Sequence, residues 1–213
     1  MVMRRDYEPV LLLALAAGVL GLSGISPHDG LTWFLEVLPV IIVIPVLVFT
    51  WRRFRLTMLL YRLIFVHAVI LMIGGHYTYA EVPVGFWFQD AFDLSRNHYD
   101  RLGHFAQGFI PAIAVREILV RRSPLRHSKW LAILVVSVCL AFSAFYEMLE
   151  WWSAVIMGES AAAFLGTQGD TWDTQWDMFL AAIGAVAAVV TLGRVHDRAF
   201  SGLASRERKY GGT

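Results

Sequence analysis

Six apolar stretches alternate with polar connections along the chain, and this alternation is the main feature of its hydrophobic pattern. A helix that crosses a bilayer needs about 20 predominantly apolar residues, and each stretch comes close to that length. We therefore predict an all-α fold, a polytopic membrane protein built as a bundle of six transmembrane helices. The chain forms a single membrane domain over residues 1–213. The predicted spans cover about residues 9–25, 31–50, 56–75, 99–120, 130–157 and 172–192, and residues 193–213 form a cytoplasmic tail.

The composition supports a membrane protein. Hydrophobic residues make up 57% of the chain and charged residues 16%, with a mean hydropathy of +0.57, whereas soluble domains carry about 25% charged residues. The single cysteine, Cys139, excludes an intramolecular disulfide. No zinc-type cysteine cluster, phosphate-binding loop or nucleic-acid-binding patch is present. The apolar run at 10–25 lacks a convincing signal-peptide cleavage pattern, so we interpret it as the first span.

The positions of the basic residues predict the orientation. With six spans, the N-terminus, the second and fourth connections and the C-terminal tail lie on one side. Those segments and their flanking helix ends hold all of the 18 Lys and Arg residues except Arg96 and Arg101. Because Lys and Arg are enriched on the cytoplasmic side of membrane proteins, we predict that both termini are cytoplasmic.

A polar stretch, residues 97–107, leads into the fourth predicted span. Asp100, His104, Gln107 and Pro111 follow one another at i, i+4, i+7 and i+11, which places them on one face of a helix. Ionisable groups inside a bilayer are costly and usually face protein or water rather than lipid. The chain must therefore supply partners for Asp100 and His104.

Two further pairs of acidic residues fall at a similar depth in the predicted bundle. Glu147 and Glu150 lie at i and i+3 in the fifth span, and Asp173 and Asp177 lie at i and i+4 at the start of the sixth. All three spans present these groups near their outer ends. The sequence thus predicts an outward-facing pocket formed by carboxylates and a histidine.

Carboxylates gathered at one depth need compensation, since like charges and desolvation both oppose ionisation. Arg96 or Arg101, protonation, or a bound divalent cation would each supply it. Carboxylates with an imidazole suit zinc, manganese or iron, and carboxylates with water suit magnesium or calcium. The candidate metal ligands are Asp100, His104, Glu147, Glu150, Asp173 and Asp177. The candidate catalytic residues are His104, Glu147, Glu150 and Asp177.

Structural roles explain some of these residues equally well. Asp100 and Asp173 suit helix N-termini, where a carboxylate caps the helix and complements its dipole. His104 suits an interhelical hydrogen bond. Without a metal, His104 would serve as a general base oriented by Asp100 or a glutamate. Glu147 and Glu150 are the hardest to explain structurally, because they lie deep in an apolar span.

Four segments resemble the YjdF-like family of bacterial inner-membrane proteins, a domain of unknown function. They are residues 76–83 (HYTYAEVP), 97–105 (NHYDRLGHF), 145–147 (FYE), and 168–173 (QGDTWD) with Asp177. The resemblance implies a multi-pass protein of the bacterial inner (plasma) membrane and no particular activity.

A second similarity is to VanZ-like membrane proteins, which are connected with cell-envelope phenotypes. Residues 100–105 are similar to the helix start Asp-Lys-x-x-His-Phe of that family, and Glu147 is similar to its later glutamate. Residues 177–184 are similar to its Asp-x-x-x-Asn-x-x-Gly helix, except that Ala181 stands where the family has asparagine.

Three functions fit these residues. One is a membrane-embedded enzyme at the outer leaflet, such as a metal-assisted hydrolase or transferase on a lipid-linked or envelope substrate. Another is an ion- or proton-coupled transporter or channel, for which six spans are few unless the protein forms a homo-oligomer. The third is a non-catalytic membrane scaffold. A transporter needs a polar path through the cytoplasmic half, where we predict little beyond His67. Membrane lipids, such a small molecule and further copies of the chain are the partners that the sequence allows, and no nucleic acid is predicted.

Overall fold

The computed structural model describes residues 7–158 and 162–210, and these residues form helices and turns without a strand. The helices are α1 (Glu8–Ser23), α2 (Gly30–Thr50), α3 (Met58–Tyr77), α4 (Pro83–Phe92), α5 (Tyr99–Arg122), α6 (Trp130–Met157), α7 (Ala162–Leu165) and α8 (Asp173–Tyr210). Short 3-10 turns occupy Tyr79–Glu81 and Pro124–His127. The predicted all-α fold is confirmed.

Local sequence signals explain where the first helices begin. Pro9 lies in the first turn of α1, where its missing N–H would have no helical partner. The Asp29 carboxylate accepts a hydrogen bond from the Thr32 N–H at 2.7 Å at the start of α2. This bond holds the pKa of Asp29 below its ordinary value. Thr57 caps α3 by accepting from the Leu60 N–H.

Within the described residues, four helices are long and apolar enough to cross a membrane: Gly30–Thr50, Met58–Tyr77, Trp130–Met157 and Asp173–Leu203. Helix α1 is also apolar but has 16 residues. Helix α5 is long enough, with 24 residues, but several charged residues reduce its mean hydropathy. The structure therefore agrees with a multi-pass membrane protein.

Helix α5 lies at the centre of the bundle, where it packs against α8, α6 and α3. Its closest approach is to α8. A Cβ atom on Gly108 would overlap the carbonyl oxygen of Ala181, and one on Gly184 would overlap that of Phe105. Small residues allow membrane helices to come together in this way. An apolar core cluster lies beside this contact and comprises Leu60, Ala112, Ile113, Leu131, Val135, Cys139, Ala185 and Ala188.

Two elements differ from what the hydrophobic pattern indicates. The connection after α3 contains the helix α4, which begins at Pro83 and ends at Phe92. Asp93 follows it in the left-handed conformation, with φ of 50°. Helix α8 continues to Tyr210, well past residue 192. The segment beyond 192 contains no proline, the residue that most strongly interrupts a helix.

Candidate functional site

The first turns of α5 supply two of the predicted site residues. Asp100 and His104 lie one helical turn apart, and the His104 Nε2 is 3.4 Å from the Asp100 Oδ1. Both side chains are buried, with 8% and 6% of each residue exposed. The i, i+4 spacing thus brings the carboxylate and the imidazole together, as the sequence predicts.

Helices α6 and α8 bring further carboxylates to the same imidazole. The Glu147 Oε1 lies 3.8 Å from His104 Nδ1, and the Asp177 Oδ2 lies 3.9 Å from His104 Nε2. Glu150 offers an oxygen within 4.8 Å of ligand atoms from His104 and Glu147. We refer to these residues, Asp100, His104, Glu147, Glu150 and Asp177, as the His104 cluster.

Asp173 has a different environment from the other predicted ligands. Its Oδ1 lies 2.5 Å from a guanidinium nitrogen of Arg96, and both side chains are buried. Arg96 also lies 3.8 Å from the Asp100 carboxylate. Among the described residues, Asp173 belongs to neither group whose ligand atoms lie within 4.8 Å of one another. Arg96 therefore compensates part of the negative charge beside the His104 cluster.

The loop before α8 is attached to the start of α5 by several polar contacts. Arg101 pairs with Asp170 at 2.8 Å. The Asn97 N–H donates to the Gln168 side chain at 3.0 Å, and Gln168 donates back to the Asn97 carbonyl at 2.8 Å. A hydrogen bond from the Trp172 N–H, with help from Arg101 and Arg96, lowers the pKa of Asp170. These contacts fix the loop over the end of the bundle.

Several polar atoms at the His104 cluster are buried without a hydrogen-bond partner in the described part of the chain. They are His104 Nδ1, Glu147 Oε1 and Asp177 Oδ1, and the nearby Gln107 Oε1 and Ser143 Oγ. A buried polar group left without a partner costs about 1–3 kcal/mol. Unpartnered buried atoms of this kind, supplied by α5, α6 and α8, are suited to bind a further polar ligand or an ion.

Sequence reasoning missed one carboxylate near this cluster. Glu36 of α2 is 5% exposed and accepts a hydrogen bond from the Tyr146 hydroxyl at 3.1 Å. It interacts electrostatically with Asp100 and His104. The sequence contained a signal for this residue, because Glu36 is an acidic residue inside the second predicted span. Burying a charge there is as costly as it is for Glu147 and Glu150, so Glu36 also needs a partner.

Sequence reasoning also missed a second buried polar group, at the opposite end of α5. Glu117 is fully buried and accepts from the Thr57 hydroxyl at 2.7 Å, and its Oε2 lies 3.0 Å from His196 Nε2. Its other oxygen lies 3.0 Å from Arg121. Arg116 contacts His196 at 3.1 Å and Asp197 at 2.7 Å.

We call these residues, Thr57, Arg116, Glu117, Arg121, His196 and Asp197, the Glu117 network. From the sequence we predicted little of a polar path in this half of the bundle beyond His67, and these buried polar groups were not foreseen. The continuation of α8 past residue 192 is the reason, because it brings His196 and Asp197 against α5. The charged pair Arg116 and Glu117 within the predicted fourth span was the available signal.

An apolar layer separates the His104 cluster from the Glu117 network. It includes Ala112, Ile113, Val135 and Ala185, all of them fully buried. His104 and Arg116 lie 12 residues apart on α5, a rise of about 18 Å along the helix. His67 is half-buried on α3, and its Nε2 is buried without a hydrogen-bond partner among the described residues.

Comparison with known proteins gives two matches. A family model described as "Predicted membrane protein (DUF2238)" matches residues 8–198. The "Inner membrane protein YjdF" of Escherichia coli (strain K12) is 56% identical over 199 residues, which cover 92% of this chain and 95% of that protein. No solved structure matches the chain significantly. The resemblance to YjdF-like proteins is confirmed, and the VanZ-like resemblance finds no support in these comparisons.

Proposed function

The chain belongs to the DUF2238 family of predicted membrane proteins, and we propose that its His104 cluster binds a divalent metal ion at the outer end of the bundle. The metal would serve a hydrolase or transferase reaction on a lipid-linked or envelope substrate. The single observation that supports metal binding best is the set of buried, unpartnered ligand atoms: His104 Nδ1, Glu147 Oε1 and Asp177 Oδ1.

The proposal includes a six-span topology with both termini cytoplasmic. Helices α1, α2, α3, α5, α6 and α8 are the spans. The charged residues of α5 are compatible with a span because Asp100, Arg116 and Glu117 are buried against protein rather than exposed to lipid. The arginine-rich turns at 52–55 and 121–126 then face the cytoplasm, and the His104 cluster faces outward.

The charges of the cluster favour a cation. Four carboxylates surround one imidazole, and the nearby Arg96 guanidinium is already in contact with Asp173 at 2.5 Å. A divalent ion would compensate two of the remaining charges. Ligands at about 2.0–2.2 Å from one zinc ion lie no more than about 4.4 Å apart. Ligand atoms in each group already lie within 4.8 Å of one another, so a small side-chain adjustment would complete the coordination.

The ligand set also fits a reaction class. Carboxylates with one histidine suit zinc, manganese or iron, and such an ion polarises a substrate oxygen and lowers the pKa of a bound water. The two groups of potential ligands share His104. Glu147 and Glu150 would hold the ion with His104 Nδ1, while Asp100 and Asp177, which approach Nε2, would orient the imidazole and accept its proton.

The surface near the cluster suits a substrate with a lipid portion. Trp87 and Phe92 of α4 are each 65% exposed, and Trp172 beside Asp173 is 64% exposed. Aromatic side chains in such positions prefer the membrane–water interface. A lipid-linked molecule would present its polar head at this depth, which is where the cluster lies in the proposed topology.

Metal analysis of the purified full-length protein tests the proposal. We expect about one zinc, manganese or iron per chain after exposure to that metal and removal of excess, with the metal lost in Glu147→Gln. The matched control is Glu81→Gln, which changes an exposed glutamate outside the cluster and should retain the metal. A wild-type protein that binds no metal, or equal binding by the two variants, would refute the proposal.

The Glu117 network favours a second candidate, an ion- or proton-coupled transporter. Buried ionisable groups at both ends of α5 are what a proton or cation path requires. The fully buried Ala112, Ile113, Val135 and Ala185 lie between the two groups and oppose a continuous path. Ion flux in proteoliposomes that is lost on Glu147→Gln would favour the transporter over the enzyme.

A further inference from the structure

A cavity of about 300 Å³ lies at the end of the bundle opposite to the His104 cluster, between α5, α6 and α8. Two arginines, Arg116 and Arg194, the carboxylate of Asp197 and the hydroxyl-bearing Ser128 form its polar part. Leu131, Val135 and Val189 form its apolar part. The cavity thus combines basic groups with an apolar wall.

The cavity has a net positive charge. Arg116 and Arg194 face one carboxylate, that of Asp197, which Arg116 contacts at 2.7 Å. Arg194 is exposed and has no ion-pair partner in the described part of the chain. The first turn of α6 also begins here, at Trp130, with Ser128 accepting the Trp130 N–H at 3.1 Å. Helix N-termini favour negative charge, so this end of α6 adds to the positive potential.

The apolar wall of the cavity leads to the outer surface of the bundle. Val135 is fully buried, whereas Val190, which also lines the cavity, is 74% exposed. A ligand whose anionic part lies beside Arg116 and Arg194 would therefore place an apolar part against Val189 and Val190. A phospholipid with an anionic headgroup has this division, and basic pockets at the cytoplasmic ends of membrane helices bind such headgroups.

We propose that this cavity binds the headgroup of an anionic phospholipid from the leaflet that faces the arginine-rich end of the bundle. The headgroup phosphate accepts hydrogen bonds from the Arg194 and Arg116 guanidiniums. One acyl chain lies along Val189 and Val190. The site is separate from the His104 cluster and does not depend on metal binding there.

Gly193 provides a direct way to close the cavity. It lines the cavity, and a Cβ atom on it would meet nothing within 4 Å. Gly193→Phe should therefore place its ring in the cavity with little disturbance of the backbone. Gly18→Phe is the matched control, because Gly18 lies on α1, where a Cβ atom also meets nothing within 4 Å. The two variants make the same substitution in open space at different places.

The experiment measures lipid bound to the full-length protein in detergent by native mass spectrometry, with phosphatidylglycerol and phosphatidylcholine as probes. We expect saturable binding of phosphatidylglycerol that is at least tenfold stronger than that of phosphatidylcholine. Gly193→Phe should abolish this preference and Gly18→Phe should keep it. Arg194→Gln should weaken phosphatidylglycerol binding about fivefold, which is the contribution of about one basic residue near an anionic lipid. Arg198→Gln changes an exposed arginine outside the cavity and should leave the binding unchanged.

Three results would overturn the proposal. Equal binding of the two lipids would show that the headgroup charge is not recognised. Retained preference in Gly193→Phe would place the lipid elsewhere. Displacement of phosphatidylglycerol by inorganic phosphate at equal concentration would identify a site for a free anion rather than a lipid. If Gly193→Phe does not fold, Arg194→Gln compared with Arg198→Gln decides, since both change exposed residues of α8.

Discussion

Replacing Glu117 by glutamine should destabilise the protein by about 3 kcal/mol, because it removes the central charge of the Glu117 network. Glu117 is fully buried, and its two oxygens contact Thr57, His196 and Arg121 at 2.7–3.0 Å. Breaking a buried charge pair by removing one partner costs about 3–5 kcal/mol. Glutamine keeps one acceptor oxygen for the Thr57 hydroxyl, so we expect the lower end of that range.

The assay is the free energy of unfolding in mixed micelles, obtained by titration with a denaturing detergent. Asp197→Asn is the control, because the Asp197 side chain is 50% exposed although it pairs with Arg116 at 2.7 Å. An exposed ion pair contributes about 0–1 kcal/mol. A loss below about 1 kcal/mol in Glu117→Gln, equal to that of the control, would refute the reasoning that this network holds α3, α5 and α8 together.

Two further outcomes follow from the contacts of α5 and of the loop before α8. Gly108→Val should prevent normal packing of α5 on α8, because even a Cβ atom would overlap the Ala181 carbonyl. Gel filtration should therefore show little folded protein. The control Gly21→Val changes a glycine in open space on α1 and should behave as wild type. Asp170 has a pKa below the ordinary value of 3.8, so its stabilisation of the loop is fully present above that pH and is lost as the pH falls through the lower folded pKa. The protection factors of residues 166–172, which are hydrogen-exchange rates corrected for the intrinsic pH dependence of amide exchange, should therefore fall in that acid range in the wild type. In Asp170→Asn they should already be low at neutral pH, and wild-type protection factors that stay constant through the acid range would contradict this.

The arrangement of the His104 cluster follows from local spacing and simple topology. The i, i+4 spacing of Asp100 and His104 predicts their contact, and alternation of the spans predicts that Glu147 and Asp177 reach the same depth. Arg96 was one of three predicted ways to compensate the carboxylates, and its contact with Asp173 bears this out. These features depend on helix geometry, which the sequence pattern contains.

The parts that sequence did not predict depend on long-range packing. The pairing of Glu117 with His196 joins residues 79 positions apart. It requires α8 to continue as a helix into a segment whose sequence lacks the apolar pattern of a membrane span. Helix α4 was not predicted, because its aromatic residues indicate a position at the membrane interface and do not indicate whether the segment is helical. The local sequence therefore does not distinguish α4 from an exposed loop, or the end of α8 from an exposed tail.

The close approach of α5 and α8 at Gly108 and at Gly184 has a mechanical consequence. Each glycine faces a carbonyl group of the opposite helix so closely that no side chain fits between the two backbones. Rotation of α8 about its own axis would swing Ala181 or Ala185 into that space. The two helices therefore resist twisting against each other, which fixes how the Asp177 end and the His196 end of α8 are oriented towards α5.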